Sequence, residues 1–122
     1  LVRKILVVDD DRTLAETTAE ILRVRGYEVF LAFDGYQVMS LAHRIKPDLI
    51  MLDVMMPAGG GIRAYQYLKL SSGTSTIPVI FATAVPFEDV VEKVGQIDSK
   101  YFVSKPYDVD MLVEKISGLI GS

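Results

Sequence analysis

Apolar and polar positions along the chain fall into blocks that switch period in a regular order. The runs KILVVD at 4–9, DLIMLD at 48–53 and PVIFAT at 78–83 are apolar almost throughout, and EVFLAF at 28–33 nearly so. A strand with one wet face alternates, so near-continuous apolar runs of this length read as strands covered on both faces. A short fifth run, YFVS at 101–104, has the same character. Between the runs the period lengthens to that of a helix. Leu14, Ile21 and Leu22, with Ala15 and Ala19 beside them, predict a first helix that Gly26 closes. Asp34, with Gln37 three positions on, reads as a capping box opening a second helix. Val38, Leu41, Ala42 and Ile45 form its stripe, and Pro47 stops it. A loop with Pro57 and Gly59-Gly60-Gly61 leads to a weaker third helix over 62–70. Phe87, Val90, Val91 and Val94 stand at i, i+3, i+4 and i+7 in a fourth. Val109, Leu112, Val113, Ile116 and Ile120 line a fifth.

Five strands alternating with five helices imply an α/β fold, a doubly wound parallel sheet with helices on both faces. The chain of 122 residues suffices for one such domain and is too short for two, so 1–122 is expected to be a single domain. No apolar run approaches the length of a membrane span, and no segment reads as a signal peptide. Cysteine is absent, which excludes disulfides and thiolate zinc sites and fits a cytoplasmic setting. Thirteen basic against sixteen acidic residues leave a net charge of −3, without the basic footprint of a nucleic-acid binder. The chain begins at Leu1, not Met, which leaves room for a longer parent protein.

In an open parallel sheet, ligands bind beyond the carboxyl ends of the strands, so the residues ending each strand carry the chemistry. The first strand runs into Asp9 and Asp10, the third into Asp53, the fourth into Thr83 and the fifth into Lys105-Pro106. Three carboxylates and one ammonium sum to −2, which a divalent cation neutralises. All-oxygen ligands suit Mg²⁺; zinc and copper favour His or Cys, and His43, the only histidine, lies on the second helix. A carboxylate nucleophile, a metal, an ammonium and a hydroxyl together describe phosphoryl transfer to an aspartate. Taken singly each residue has a plainer reading: a solvated acidic turn, a surface lysine, an ordinary strand threonine. Their joint placement at the strand ends favours a site. Asp11 stands apart as a helix-start residue, where a carboxylate meets free N–H groups.

VVDD at 7–10, LDVMMP at 52–57, FATA at 81–84 and SKP at 104–106 give the chain its likeness. In order and spacing it resembles the receiver domain of two-component response regulators over its whole length. The resemblance implies a flavodoxin-like (βα)5 fold with strand order 2-1-3-4-5. It implies that Asp53 is the phosphoacceptor, that Asp9, Asp10 and Asp53 hold Mg²⁺ with the backbone carbonyl of Met55, and that Thr83 and Lys105 engage the phosphoryl group. The implied donor is a phosphohistidine on a sensor histidine kinase or histidine phosphotransfer protein. Thr83 and Phe102 would then switch the surface of the fourth helix, fifth strand and fifth helix toward a second copy of the chain or an output domain. Neither direct nucleic-acid binding nor a membrane is implied. Such a domain is a signalling module in the cytoplasm rather than an enzyme, though it assists its own Mg²⁺-dependent phosphorylation and slow dephosphorylation.

The chain departs from the family pattern in places. Met55 and Val85, two positions past Asp53 and Thr83, are apolar where polar groups are common. They exclude water without orienting it, which predicts a long-lived phosphoryl group. Gly59 and Gly60 replace an apolar residue and an Asp or Asn, which predicts a looser loop beside the site. Asp98-Ser99 replaces the usual Gly-Ala before the fifth strand. Three rival readings remain for comparison. A flavin-binding electron carrier would need a hydroxyl- and glycine-rich phosphate loop where Asp9-Asp10-Asp11 stands. A haloacid-type phosphatase would place its nucleophile after the first strand in a longer core. A degenerate receiver would serve only as an interaction module.

Overall fold

Strands β1 (Lys4–Val8), β2 (Glu28–Ala32), β3 (Leu49–Leu52), β4 (Val79–Thr83) and β5 (Phe102–Ser104) pair in parallel in the order β2-β1-β3-β4-β5. This is the flavodoxin-like arrangement. The chain is described by a computed structural model over residues 1–57 and 60–122. Among the described residues, five α-helices alternate with the strands: α1 (Arg12–Val24), α2 (Gly35–Ile45), α3 (Gly60–Leu70), α4 (Phe87–Val94) and α5 (Val109–Ile120). Among the described residues, no helix is long and apolar enough to cross a membrane.

The two-residue period of a strand sorts the apolar runs into two cores. Ile5, Val7, Leu49, Met51, Ile80 and Ala82 face one side, where Ala15, Ala19 and Leu22 of α1 and Leu112 and Ile116 of α5 cover them. Leu6, Val8, Ile50, Leu52, Val79 and Phe81 face the other, under Val38 and Ala42 of α2, Ala64 and Leu68 of α3 and Val90 of α4. Burial on both faces is why these runs carry no polar alternation. Tyr65 contributes to the second core by tilting onto Phe81, with ring centroids 4.9 Å apart.

Several local details differ from the sequence expectation. The strands stop at Val8, Ala32 and Leu52, one residue early. Asp9 and Asp53 nevertheless donate their N–H groups to Ala32 and Val8, at 3.1 and 3.0 Å, so the ladder carries them to the sheet edge. The buried face of α1 centres on Ala15, Thr18, Ala19 and Leu22, with Leu14 and Ile21 on its flanks. Small alanines let the helix lie close to the sheet, which pushes the larger residues aside. Asp34 caps α2 by accepting from Gln37 N–H at 3.0 Å. The Gln37 side chain, however, accepts from Phe33 N–H at 2.7 Å, one residue before the cap, so the reciprocal bond of a capping box is displaced. Helix α3 begins at Gly60, earlier than its apolar pattern. Ala58 and Gly59 lie outside the described residues, so of the two glycines on which the looser loop was expected only Gly60 is described, and it stands in the first turn of α3.

Candidate functional site

Register brings the strand ends together. Val8 pairs with Leu52, Leu52 with Phe81, and Thr83 with Ser104, so the residues following β1, β3 and β5 share one edge with the end of β4. Asp9, Asp10 and Asp53 each offer a carboxylate oxygen, and these three oxygens lie within 4.8 Å of one another. Asp9 and Asp53 are both only 5% exposed, whereas Asp10 is exposed.

Lys105 answers the charge of the buried pair. Its Nζ donates to Asp9 Oδ2 at 2.6 Å and to Asp53 Oδ2 at 2.7 Å. The remaining oxygens are held by backbone: Asp9 Oδ1 accepts from Asp11 N–H and Asp53 Oδ1 from Met55 N–H, each at 2.9 Å. Both carboxylates are thereby fixed in rotation before any ligand binds. Burial raises the Asp9 carboxyl above the usual range. The bond to Lys105 and the Asp11 N–H pull it back only in part, and the Asp53 charge adds to the rise. Burial alone would lower the Lys105 ammonium, but its bonds to Asp53 and Asp9 outweigh that and raise it. One ammonium thus serves two buried acids and leaves net negative charge for a cation to balance.

The acidic run divides by job. Asp11 is the N-cap of α1, with its side chain accepting from Leu14 N–H at 3.1 Å. Asp10 is free to face solvent at the open side of the cluster. Convergent hard oxygen donors with an excess of negative charge fit a divalent cation of the Mg²⁺ type.

Thr83 is fully buried, and its hydroxyl accepts from Val85 N–H at 3.3 Å, which leaves its own proton to donate. Its carbonyl accepts from Lys105 N–H at 2.9 Å, tying the lysine backbone to β4. The Lys105-Pro106 peptide bond is cis. Phe102 lies half-buried on β5, edge-on to Phe87 of α4 with centroids 5.3 Å apart. Met51 and Met56 are buried, but the Met55 side chain is 63% exposed, so it borders the site without packing over it. Gly61 is closely confined. A Cβ on Gly61 would stand 2.2 Å from the Asp53 carbonyl and 2.5 Å from Val54 Cα, so only glycine lets α3 start against the chain leaving Asp53. Asp98 caps a single 3-10 turn at Ser99–Tyr101 by accepting from Lys100 N–H. His43 is exposed on α2, with its ring Nε2 3.3 Å from Ser71 Oγ.

Sequence reasoning missed two residues that frame the site. The Tyr107 hydroxyl lies 2.6 Å from Thr18 Oγ1, joining the loop after Lys105 to α1. Burial raises the Tyr107 phenol, and its bond to Thr18 opposes the rise. The available signal was a threonine inside the alanine stripe of α1 and an aromatic directly after Lys105-Pro106.

Comparison with known proteins gives one consistent answer. Residues 5–117 match the family model described as the response regulator receiver domain. The chain is 34% identical over 119 residues to the DNA-binding dual master transcriptional regulator RpaA of Synechocystis, covering 96% of this chain and 48% of that protein. It therefore spans about half the length of that relative. It is 27% identical over 119 residues to the polar-differentiation response regulator DivK of Brucella anthropi, covering 98% of this chain and 97% of that one. The crystal structure of a putative response regulator from Chloroflexus aurantiacus superposes over the full length of both chains with a TM-score of 0.86 at 26% identity.

Proposed function

The chain belongs to the response regulator receiver domain family, and on that premise we propose that residues 1–122 form one receiver that accepts a phosphoryl group on Asp53. The observation that carries the reading is the Lys105 ammonium held between the buried Asp9 and Asp53, with the Thr83 hydroxyl on the neighbouring strand end. The donor is a phosphohistidine of a sensor histidine kinase or histidine phosphotransfer protein. An Asp53 carboxylate oxygen attacks phosphorus, the P–N bond to the imidazole breaks, and the histidine nitrogen leaves with the electron pair of that bond. The product is an acyl phosphate.

Each residue has a task in this reaction. Lys105 and Met55 N–H hold the nucleophile in one orientation. Lys105 then pairs with a phosphoryl oxygen while keeping its bond to Asp9, and Thr83 donates its free proton to another oxygen. Asp9, Asp10 and Asp53, with the Met55 carbonyl, would hold Mg²⁺, which supplies charge neutralisation for the incoming phosphoryl group. Drawing Thr83 toward the phosphate opens room beside β5. Phe102 then turns inward, and the α4–β5–α5 surface changes shape for an output domain or a second copy of the chain. The exposed Met55 and partly buried Val85 orient no water, so hydrolysis of the isolated phosphoprotein is slow. A half-life of seconds would contradict that point. The reading places the domain in the cytoplasm, where such donors present their histidines.

The test is incubation with acetyl phosphate, with and without Mg²⁺, followed by mass spectrometry of the intact protein and its peptides. Mg²⁺-dependent addition at Asp53, lost in Asp53→Asn, is expected. No modification of the wild type under any condition would leave the domain as an interaction module only.

A further inference from the structure

The hydroxyls of Thr18 and Tyr107, 89 positions apart, lie 2.6 Å from one another. Thr18 is 1% exposed, and Tyr107 packs at the edge of the core that contains Ala15, Ala19 and Leu112. A polar group placed in an apolar stripe destabilises unless it is hydrogen-bonded. Valine would fill the place of Thr18 and phenylalanine that of Tyr107 without needing any partner. The two hydroxyls therefore exceed what packing requires, and they share one hydrogen bond.

Their location gives the bond a purpose. Thr18 sits on the helix that follows Asp9 and Asp10, and Tyr107 stands two residues past Lys105. The short loop from Lys105 to α5 is fixed at three points. Lys105 N–H donates to the Thr83 carbonyl at 2.9 Å. Asp108 caps α5 through the N–H groups of Asp110 and Met111. Between these, Tyr107 fastens the loop to α1. The first anchor sets the loop against β4 and the second sets it against α5. The third ties it to α1, the helix that follows the acidic pair, and Lys105 must reach Asp9 and Asp53 at 2.6 and 2.7 Å.

We propose that Thr18 and Tyr107 are positioning residues, a hydroxyl tether that holds the Lys105 ammonium over Asp9 and Asp53 and thereby sets the affinity of the site for a phosphoryl group. The proposal rests on the reading of Asp53 as the phosphoacceptor. It adds a determinant for the group that Lys105 recognises, and it leaves cation binding to the carboxylates.

The experiment separates those two ligands. Mg²⁺ affinity alone, and beryllium fluoride affinity at saturating Mg²⁺, are measured for wild type, Tyr107→Phe, Thr18→Val, Thr18→Ser and the Thr18→Val/Tyr107→Phe double variant. Beryllium fluoride stands in for the phosphoryl group. Its affinity is expected to fall about threefold to tenfold in each hydroxyl-deleting single variant, the scale of one side-chain hydrogen bond. The double variant should lose no more than either single one, because both remove the same bond. Thr18→Ser should bind as wild type does, and Mg²⁺ affinity should not move in any variant. A lower melting temperature with unchanged beryllium fluoride affinity would make the tether merely structural and overturn the proposal. So would an equal loss of Mg²⁺ and beryllium fluoride affinity. If Tyr107→Phe does not fold, Thr18→Val against Thr18→Ser decides alone. Failure of the wild type to bind beryllium fluoride would instead remove the Asp53 reading, and the tether's role with it.

Discussion

Lys105 Nζ and Asp53 Oδ2 lie 2.7 Å apart at the carboxyl edge of the sheet, and the same ammonium reaches Asp9 Oδ2 at 2.6 Å. A single cation thus lies between two buried anions that would otherwise repel. Lys105→Met removes that cation and leaves both carboxylates paired only with backbone N–H groups. We expect a loss of roughly 3–5 kcal/mol in metal-free stability, the range for removing one partner of a buried ion pair. Asp53→Asn should cost less. It removes one of the two like charges, and an asparagine oxygen still accepts from Met55 N–H. Urea unfolding of the three proteins in the presence of EDTA checks the order; a Lys105→Met protein as stable as Asp53→Asn would refute it.

The acidic cluster makes a second prediction. With Asp9, Asp10 and Asp53 contributing oxygens within 4.8 Å of one another, Mg²⁺ is expected to bind the folded chain and not the unfolded one. The linked stabilisation is about 2.7 kcal/mol at one hundred times the dissociation constant. Asp10 is exposed, so Asp10→Asn should leave the metal-free melting temperature nearly unchanged while weakening the Mg²⁺-induced rise. Thermal melts across a Mg²⁺ titration, with EDTA as the reference, distinguish this from a structural role. A fall in the EDTA melting temperature with an undiminished Mg²⁺ response would show that Asp10 is not a ligand.

Much of this site was legible in the residues because a parallel sheet leaves little freedom. Strands buried on both faces announce themselves as unbroken apolar runs, and their ends must share an edge. Asp9, Asp53, Thr83 and Lys105 could therefore be gathered before any distance was known. The less legible features depend on side-chain geometry across the sheet. The Tyr107 hydroxyl meeting Thr18 is one such feature, since nothing in the spacing of positions 18 and 107 links them. The centre of the α1 stripe is another. Hydropathy favours Leu14 and Ile21, yet close approach to the sheet selects Ala15, Thr18 and Ala19. The need for glycine at position 61 is a third, since the backbone at Asp53 and Val54 leaves no room there for any side chain.

Phe102 and Phe87 give a third prediction. Their edge-on contact at 5.3 Å joins β5 to α4, and Phe102 is half-buried against the core on that face. If Phe102 reports on Thr83, then beryllium fluoride with Mg²⁺ should shift amide resonances across α4, β5 and α5 in the wild type. Phe102→Ala should shrink those distant shifts and keep the ones around Asp53. It should also cost about 1–2 kcal/mol of stability, less than a fully buried phenylalanine. Phe102→Tyr preserves the ring and should be mild. Undiminished shifts in α4 and α5 for Phe102→Ala would remove Phe102 from the switch.

Tyr27 supplies a prediction in pH. Its hydroxyl donates to the Gly121 carbonyl at 2.9 Å, fastening the end of α5 beside the start of β2, and the residue is 4% exposed. Burial raises its pKa above the ordinary 10.0, because the phenolate would lose water without gaining a partner. A group whose folded pKa is raised holds its proton more tightly in the native state. Its contribution is complete below pH 10.0 and is lost as pH rises through the higher folded value. Tyr65 and Tyr107 are raised by burial too and act with the same sign. Lys69, lowered by burial, acts with the opposite sign as it titrates. Tyr27→Phe should therefore cost about 1 kcal/mol at neutral pH, for one hydrogen bond, and make the alkaline decline shallower without abolishing it. Urea midpoints measured from neutral pH to pH 11, the upper end being about one unit past the ordinary tyrosine value, read both effects. An alkaline decline as steep in Tyr27→Phe as in the wild type would show that the Tyr27 phenol does not contribute to it.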